Sequence, residues 1–217
     1  MTAAADDSTE DAPRRIGRSG QSIVLASASV TRRALLAAAG VPFEIVPARV
    51  DEDEIKLAMR AEGAAGIEIA EVLAEAKARY VSRSQAGRMV LGADQVLVFD
   101  GEIFDKPVDR ADARRQLMRL RGARHELISY AVIVRDGDRI WQGVDRARLH
   151  MRDMSDDFID AYLDAAGADA LNGPGGYRVE SLGVQLFARI DGSHYTILGL
   201  PMFALLDYLR ANGMLMT

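Results

Sequence analysis

Apolar residues come in short continuous runs early in the chain and in alternating runs later, and the two patterns predict different parts of a sheet. Ser22–Ala26 (SIVLA) is a buried strand by length and content. Ser27-Ala28-Ser29 closes it, and a helix is predicted from Val30 to Ala39. Leu35 and Leu36 form its apolar face and Gly40 its C′ residue. Val41–Val50 reads as extended, with Pro42 and Pro47 confining it to a sheet edge. The acidic run Asp51–Glu54 leads into a short helix. Glu68 to Tyr80 has helical spacing, with Ile69, Val72, Leu73 and Ala76 on one face and Lys77 at its margin.

In the stretch Arg88–Pro107, the runs Met89–Leu91 and Val96–Phe99 flank a polar interruption, Gly92-Ala93-Asp94-Gln95. Asp100-Gly101 then turns the chain back into Glu102–Phe104, because an Asp-Gly pair accepts the positive φ that a tight hairpin needs. Asp109 is placed to cap a helix through Leu120 that stops at Gly122. Glu126–Arg135 is a strand, Asp136-Gly137 a second hairpin turn, and Arg139 onward its partner. From Arg146 to Arg152, Ala147, Leu149 and Met151 alternate with Arg148, His150 and Arg152, so one face is wet and His150 lies on it. Ser155 caps a helix to Ala166. Asn172–Gly176 is too glycine-rich for regular structure and reads as a functional loop. Tyr177–Ser181 and Val184–Ile190 are predicted strands, Asp191-Gly192 a turn, Ser193–Leu198 the returning strand, and Pro201 the start of a last helix. Early alternation of strands and helices followed by hairpins gives an α/β class with a mixed sheet.

Composition narrows the chemistry. The chain has 217 residues, no cysteine and a net charge of -5. The acidic balance argues against a nucleic-acid polymer as partner. Without thiolates, a metal would have to be a hard cation on oxygen ligands, magnesium or manganese. No apolar run approaches the length of a membrane span. The opening residues 1–21 contain no apolar core of a signal peptide and read as a disordered polar tail, so residues 22–217 carry the fold and a cytoplasmic location is expected.

A carboxylate among apolar neighbours costs free energy unless it is paired or binds a metal, which makes Asp94 the first candidate for chemistry. Asp105-Lys106 arrives close by on the hairpin's return. Strand, serine-rich turn and a helix starting Thr31-Arg32-Arg33 is a phosphate-binding arrangement in general form, since cations there oppose the helix dipole. The same residues also read as a serine cap with solvated arginines. Gly-x-Ser-x-Gly, Walker A and Gly-x-Gly-x-x-Gly patterns are absent, and the three histidines have no motif context. What remains is acids (Glu52, Asp94) and cations (Arg32, Arg33, Lys77, Lys106) at the ends of consecutive elements. Oxygen ligands for a divalent metal with Arg and Lys clamps are what phosphoanhydride cleavage needs.

LASASVTRRALLAAAGVPFEIVPARVDE, then EAKA, LGADQVLVFDGEIFDKP, LRGARHEL, YRVESLG and ILGLP, resembles the Maf family from about Ile23 to Leu209. The resemblance implies nucleoside triphosphate pyrophosphatase activity, releasing pyrophosphate and a nucleoside monophosphate with a divalent cation. It also implies a mixed twisted sheet flanked by helices, two lobes around a central cleft, akin to inosine triphosphatases, and frequent homodimers. By the family's motifs Ser27, Ser29, Arg32 and Arg33 take the triphosphate, with Lys77 and Lys106. Glu52 is a metal or water ligand, and Asp94 is the proton acceptor and second metal ligand. Ala76 before Lys77 departs slightly from the family's Glu-Lys-Ala.

Three positions bear on the base. Gln95 after Gly-Ala-Asp, and Glu180 in YRVESLG, resemble the 7-methyl-GTP branch; the dTTP/UTP branch has threonine and glutamine there. A carboxylate accepts from guanine N–H groups and favours a cationic methylated ring. Thr31 stands where one branch has arginine and the other tryptophan, Val30 replaces a proline and Ser181 a glycine. The alternatives are a dTTP/UTP-type enzyme, an enzyme clearing inosine-type nucleotides, and, because family names allude to septum formation, a non-catalytic nucleotide-binding regulator of cell division.

Overall fold

The computed structural model describes residues 21–216, so the tail expected over residues 1–21 lies, apart from Gln21, outside the described residues. The first strand, β1 (Ile23–Leu25), is fully buried and feeds helix α1 (Val30–Ala38). Strand β2 (Phe43–Ile45) pairs parallel to β1 and forms the sheet edge that Pro42 and Pro47 predict. Helix α2 (Glu52–Ala61) starts on the Asp51 side chain, which accepts from the Glu54 backbone N–H. Helix α3 (Gly66–Ser82) crosses the sheet and delivers the chain to β3 (Val90–Phe99).

The two runs expected to flank Gly92–Gln95 are one continuous strand. Its polar residues divide between faces, as a period of two requires: Gly92 and Asp94 point with Val90 and Val96 toward α3, Ala93 and Gln95 with Leu91 to the other side. Asp100 (φ 50°) and Gly101 (φ 78°) make the predicted tight turn into β4 (Glu102–Phe104). Helix α4 (Arg110–Leu120) is capped by Asp109. The long hairpin β5 (Arg124–Arg135) and β6 (Asp138–Met151) follows, and helix α5 (Asp156–Ala166) is capped by Ser155.

The last third departs from its predicted strands. Tyr177–Ser181 forms no strand, and Leu182–Leu186 is a short 3₁₀ helix, so the expected strand from Val184 shrinks to β7 (Phe187–Asp191). Ser193–Leu198 returns as a single helical turn, α6 (His194–Ile197), and α7 (Met202–Ala211) closes the chain with Pro201 as its N-cap. The seven-stranded mixed sheet runs β2-β1-β3-β5-β6-β7, with β4 on the distal half of β3.

Three apolar clusters fill the molecule. One packs α1 and α7 on Leu91, Ala93, Ala131 and Ile133; one packs α3 on the opposite face; the third packs α4 and α5 on Leu97, Leu127, Ala147 and Leu149. No helix among the described residues is long and apolar enough to cross a membrane.

Candidate active site

Strand β1 ends in a turn that points polar groups at one spot. Ser27 Oγ accepts from the Ser29 backbone N–H at 3.2 Å, and Ser29 Oγ caps α1 by accepting from the Arg32 N–H at 3.3 Å. The Arg32 guanidinium is anchored through Nε to the Gly199 carbonyl at 3.0 Å and reaches Ser27 Oγ through Nη1 at 3.4 Å. Burial pulls Arg32 below its ordinary pKa, while the carboxylates of Asp94 and Glu52 pull it back up. The arginine therefore shares one electrostatic environment with both acids. Thr31 is half-buried and Arg33 exposed.

The acids are joined by Lys77. Its Nζ lies 2.7 Å from Asp94 Oδ1 and 2.9 Å from Glu52 Oε2. Asp94 and Lys77 side chains are each 8% exposed, against 42% for Glu52, so the triad is sunk at one end and open at the other. The apolar face expected for α3 is rotated: Val72 is exposed, and Lys77 lies inside the buried face with Ile69, Leu73, Ala74 and Ala78. Gly92 makes this possible. A Cβ there would sit 2.1 Å from the Ala74 carbonyl oxygen, so only glycine lets α3 come down onto β3 beside Asp94.

Asp105 turns away from this triad. Lys56 (3.1 Å) and Arg60 (2.8 Å) of α2 hold it, and although burial pushes its carboxyl up, their hydrogen bonds keep it below the usual range. Its contribution is to tie α2, and with it Glu52, to the loop after β4. Lys106 on that loop is exposed.

Gln95 and Glu180 occupy separate settings. Gln95 lies on the sheet face opposite Asp94, and its Nε2 donates to the carbonyls of Thr196 (2.7 Å) and Ile197 (2.9 Å). Glu180 is exposed and accepts from Arg178 Nε and Nη2, at 3.0 and 2.9 Å. In the glycine-rich loop, Gly175 and Gly176 are buried against Leu97, Leu120 and Leu117, and Tyr162 donates to the Gly176 carbonyl. A surface cavity of about 450 Å³ lies at the other end of β1 and β3, lined by Ser22, Arg88, Met89 and Met214, and touches none of the site residues.

Among the described residues no group of three or more His, Cys, Asp or Glu side chains is placed to hold a metal ion. The carboxylates of Glu52 and Asp94 are the donors that could take a hard cation. Sequence reasoning missed the carbonyls of Thr196, Ile197 and Gly199, because a backbone group carries no residue signature.

The profile of a family described as "Maf-like protein" matches residues 22–212. The chain belongs to the Maf family. It is 48% identical over 192 residues to a Jannaschia protein named nucleoside triphosphate pyrophosphatase 1, covering 88% of this chain and 97% of that one. A Paramagnetospirillum magneticum protein named nucleoside triphosphate pyrophosphatase is 47% identical, covering 88% of this chain and 98% of its own length. A Nitrobacter winogradskyi protein of the same name is 48% identical, covering 92% and 98%. Of the Maf motif residues, Glu52, Lys77 and Asp94 meet in the triad and Ser27, Ser29 and Arg32 in the turn after β1, whereas Lys106, Gln95 and Glu180 lie apart from the triad.

Proposed function

We infer that this chain is an enzyme, a nucleoside triphosphate pyrophosphatase that hydrolyses its substrate to a nucleoside monophosphate and pyrophosphate. The observation that carries the reading is the Glu52–Lys77–Asp94 triad, set at 2.9 and 2.7 Å beside the Ser27–Ser29–Arg32 turn. The names of relatives that span nearly the whole chain support it.

In this reading Ser27, Ser29 and Arg32 bind the triphosphate, with Arg33, Lys77 and Lys106 adding positive charge around it. Lys77 occupies Oδ1 of Asp94, which leaves Oδ2 to accept a proton from the attacking water. Water oxygen bonds to the α-phosphorus and the bond to the bridging oxygen breaks, releasing pyrophosphate. Magnesium or manganese would be held chiefly by the open Glu52 carboxylate, with phosphate oxygens and water completing its shell, because Lys77 engages one Asp94 oxygen and the other serves as the base. When bound, such an ion neutralises phosphate charge.

The finer part concerns the base, a purine and 7-methyl-GTP in particular. Because Gln95 Nε2 donates to the Thr196 and Ile197 carbonyls and to Ser129 Oγ, its amide nitrogen is committed inward and Oε1 is the atom left to accept from a ring N–H. Glu180 adds a carboxylate suited to a cationic methylated ring.

The test is pyrophosphate release from 7-methyl-GTP, GTP, ITP, dTTP, UTP, pseudo-UTP and CTP, with magnesium and then manganese. Selective turnover of 7-methyl-GTP is expected, with Asp94→Asn lowering it by about 10²–10⁴-fold while melting as the wild type does. Turnover of pyrimidines would discard the account of the base. Binding of every nucleotide without release would make the chain a non-catalytic regulator.

A further inference from the structure

A lattice of hydrogen bonds from three strands converges on the single turn of α6. Gln95 Nε2 donates to the Thr196 and Ile197 carbonyls and, at 3.2 Å, to Ser129 Oγ. Ser129 Oγ donates to the Thr196 carbonyl at 2.7 Å, and Thr196 Oγ1 donates to Asp145 Oδ2 at 2.6 Å. Ser129 and Thr196 are completely buried. They lie where the apolar cluster under α1 and α7 meets the one under α4 and α5, at sites an aliphatic residue would fill more cheaply. Three residues past Thr196, the Gly199 carbonyl takes the Arg32 Nε–H at 3.0 Å. Gly199 has a φ of 100°, and a Cβ on it would lie 3.2 Å from Arg32 Nε, so turn and arginine fit without slack.

We propose that Ser129, Thr196 and Asp145 are positioning residues that hold the α6 turn so that the Gly199 carbonyl fixes the Arg32 guanidinium beside Asp94 and Glu52. The proposal rests on the reading of Arg32 as a phosphate clamp. An arginine gripped through Nε, with Nη1 also on Ser27 Oγ, keeps Nη2 and the second Nη1 hydrogen for phosphate oxygens and loses little side-chain freedom when substrate arrives.

The experiment measures kcat and KM for two nucleotides of different base, in Thr196→Val, Ser129→Ala and Arg32→Ala and in each pairing with Arg32→Ala, with melting temperature as the check on folding. Thr196→Val and Ser129→Ala are each expected to lower kcat/KM about tenfold, the scale of one hydrogen bond's net free energy, and Thr196→Val, which leaves the contacts of Gln95 in place, equally for both bases. Thr196→Ser should restore most of it. In the Arg32→Ala background, itself about a hundredfold down, adding either change should cost nothing further. A full further loss in that background, a change in the ratio between bases in Thr196→Val, or wild-type kinetics in both folded variants would overturn the proposal. Should Thr196→Val not fold, Ser129→Ala decides alone. Wild-type kinetics in Arg32→Ala would instead remove the clamp reading, and the proposal with it.

Discussion

The Lys77 ammonium stands between two carboxylates, and the side chains on its buried side are almost out of water. Desolvating such a pair offsets much of its attraction, so an apolar pair would hold α3 to β3 at least as well. The charges are therefore better explained by chemistry than by stability, and the two roles separate by mutation. Lys77→Met leaves the Asp94 carboxylate buried without its hydrogen-bonded cation, with only the charge of Arg32 nearby, and should cost about 3 kcal/mol of stability. Combining it with Asp94→Asn removes the stranded charge, so the double variant should regain much of that loss while releasing no pyrophosphate. Urea unfolding and pyrophosphate assays on the single and double variants check both statements. A double variant as unstable as Lys77→Met would show that the carboxylate was never dependent on the lysine.

Element packing decides whether that pair meets at all. The Cβ-free side of Gly92 faces the Ala74 carbonyl and the Ala78 backbone N–H of α3, and both neighbours on the helix are alanines. Gly92→Ala should push α3 off the sheet, with a destabilisation of about 3 kcal/mol at the upper end for overpacking. It should also abolish pyrophosphate release without touching a charged group. An alanine variant with wild-type turnover would mean that the helix position does not matter to the triad. The acids and cations of the site were legible in the sequence because charged residues at element ends stand out against apolar runs. Their seating was not: Lys77 read as marginal because Val72 mimics a core residue, while Gly92, two residues from Asp94, shows its purpose only against α3. The first two-thirds of the fold followed from caps and turn pairs such as Ser29, Asp109, Ser155 and Asp100-Gly101. Ser193–Leu198 misled because Tyr195, Thr196 and Ile197 favour strands, whereas the Ser193 cap and the grip of Gln95 on two carbonyls stabilise a helical turn. That grip comes from a residue far away in the chain, which local pattern does not report.

At the scale of the whole molecule, the cluster around α4 and α5 encloses a titratable group that makes folding sensitive to mild acid. His125 is 2% exposed, its Nε2 lies 2.6 Å from the Tyr177 hydroxyl, and its Nδ1 has no hydrogen-bond partner among the described residues. Burial, and secondarily the charge of His150, lowers its pKa from 6.5 to about 4. The unfolded chain thus binds a proton at this site more readily than the folded one. Stability from the neutral imidazole is complete above about pH 6.5, falls as the pH drops, and is exhausted near pH 4, with a total of about 3 kcal/mol. Carboxylates held low by arginines, Asp156, Asp160 and Asp169 among them, lose their contributions only as pH falls through the carboxylate range. The upper half of the window therefore belongs to His125. Urea unfolding at about pH 7 and about pH 5 should differ by about 2 kcal/mol in the wild type. His125→Gln keeps a hydrogen-bonding group for the Tyr177 hydroxyl but cannot take the proton, so its stability should be nearly level across the same interval. An equal slope in both proteins would assign the acid sensitivity to other groups. Since this cluster includes Leu97, three residues beyond Asp94 on β3, acid that loosens it should end pyrophosphate release at the same midpoint as unfolding.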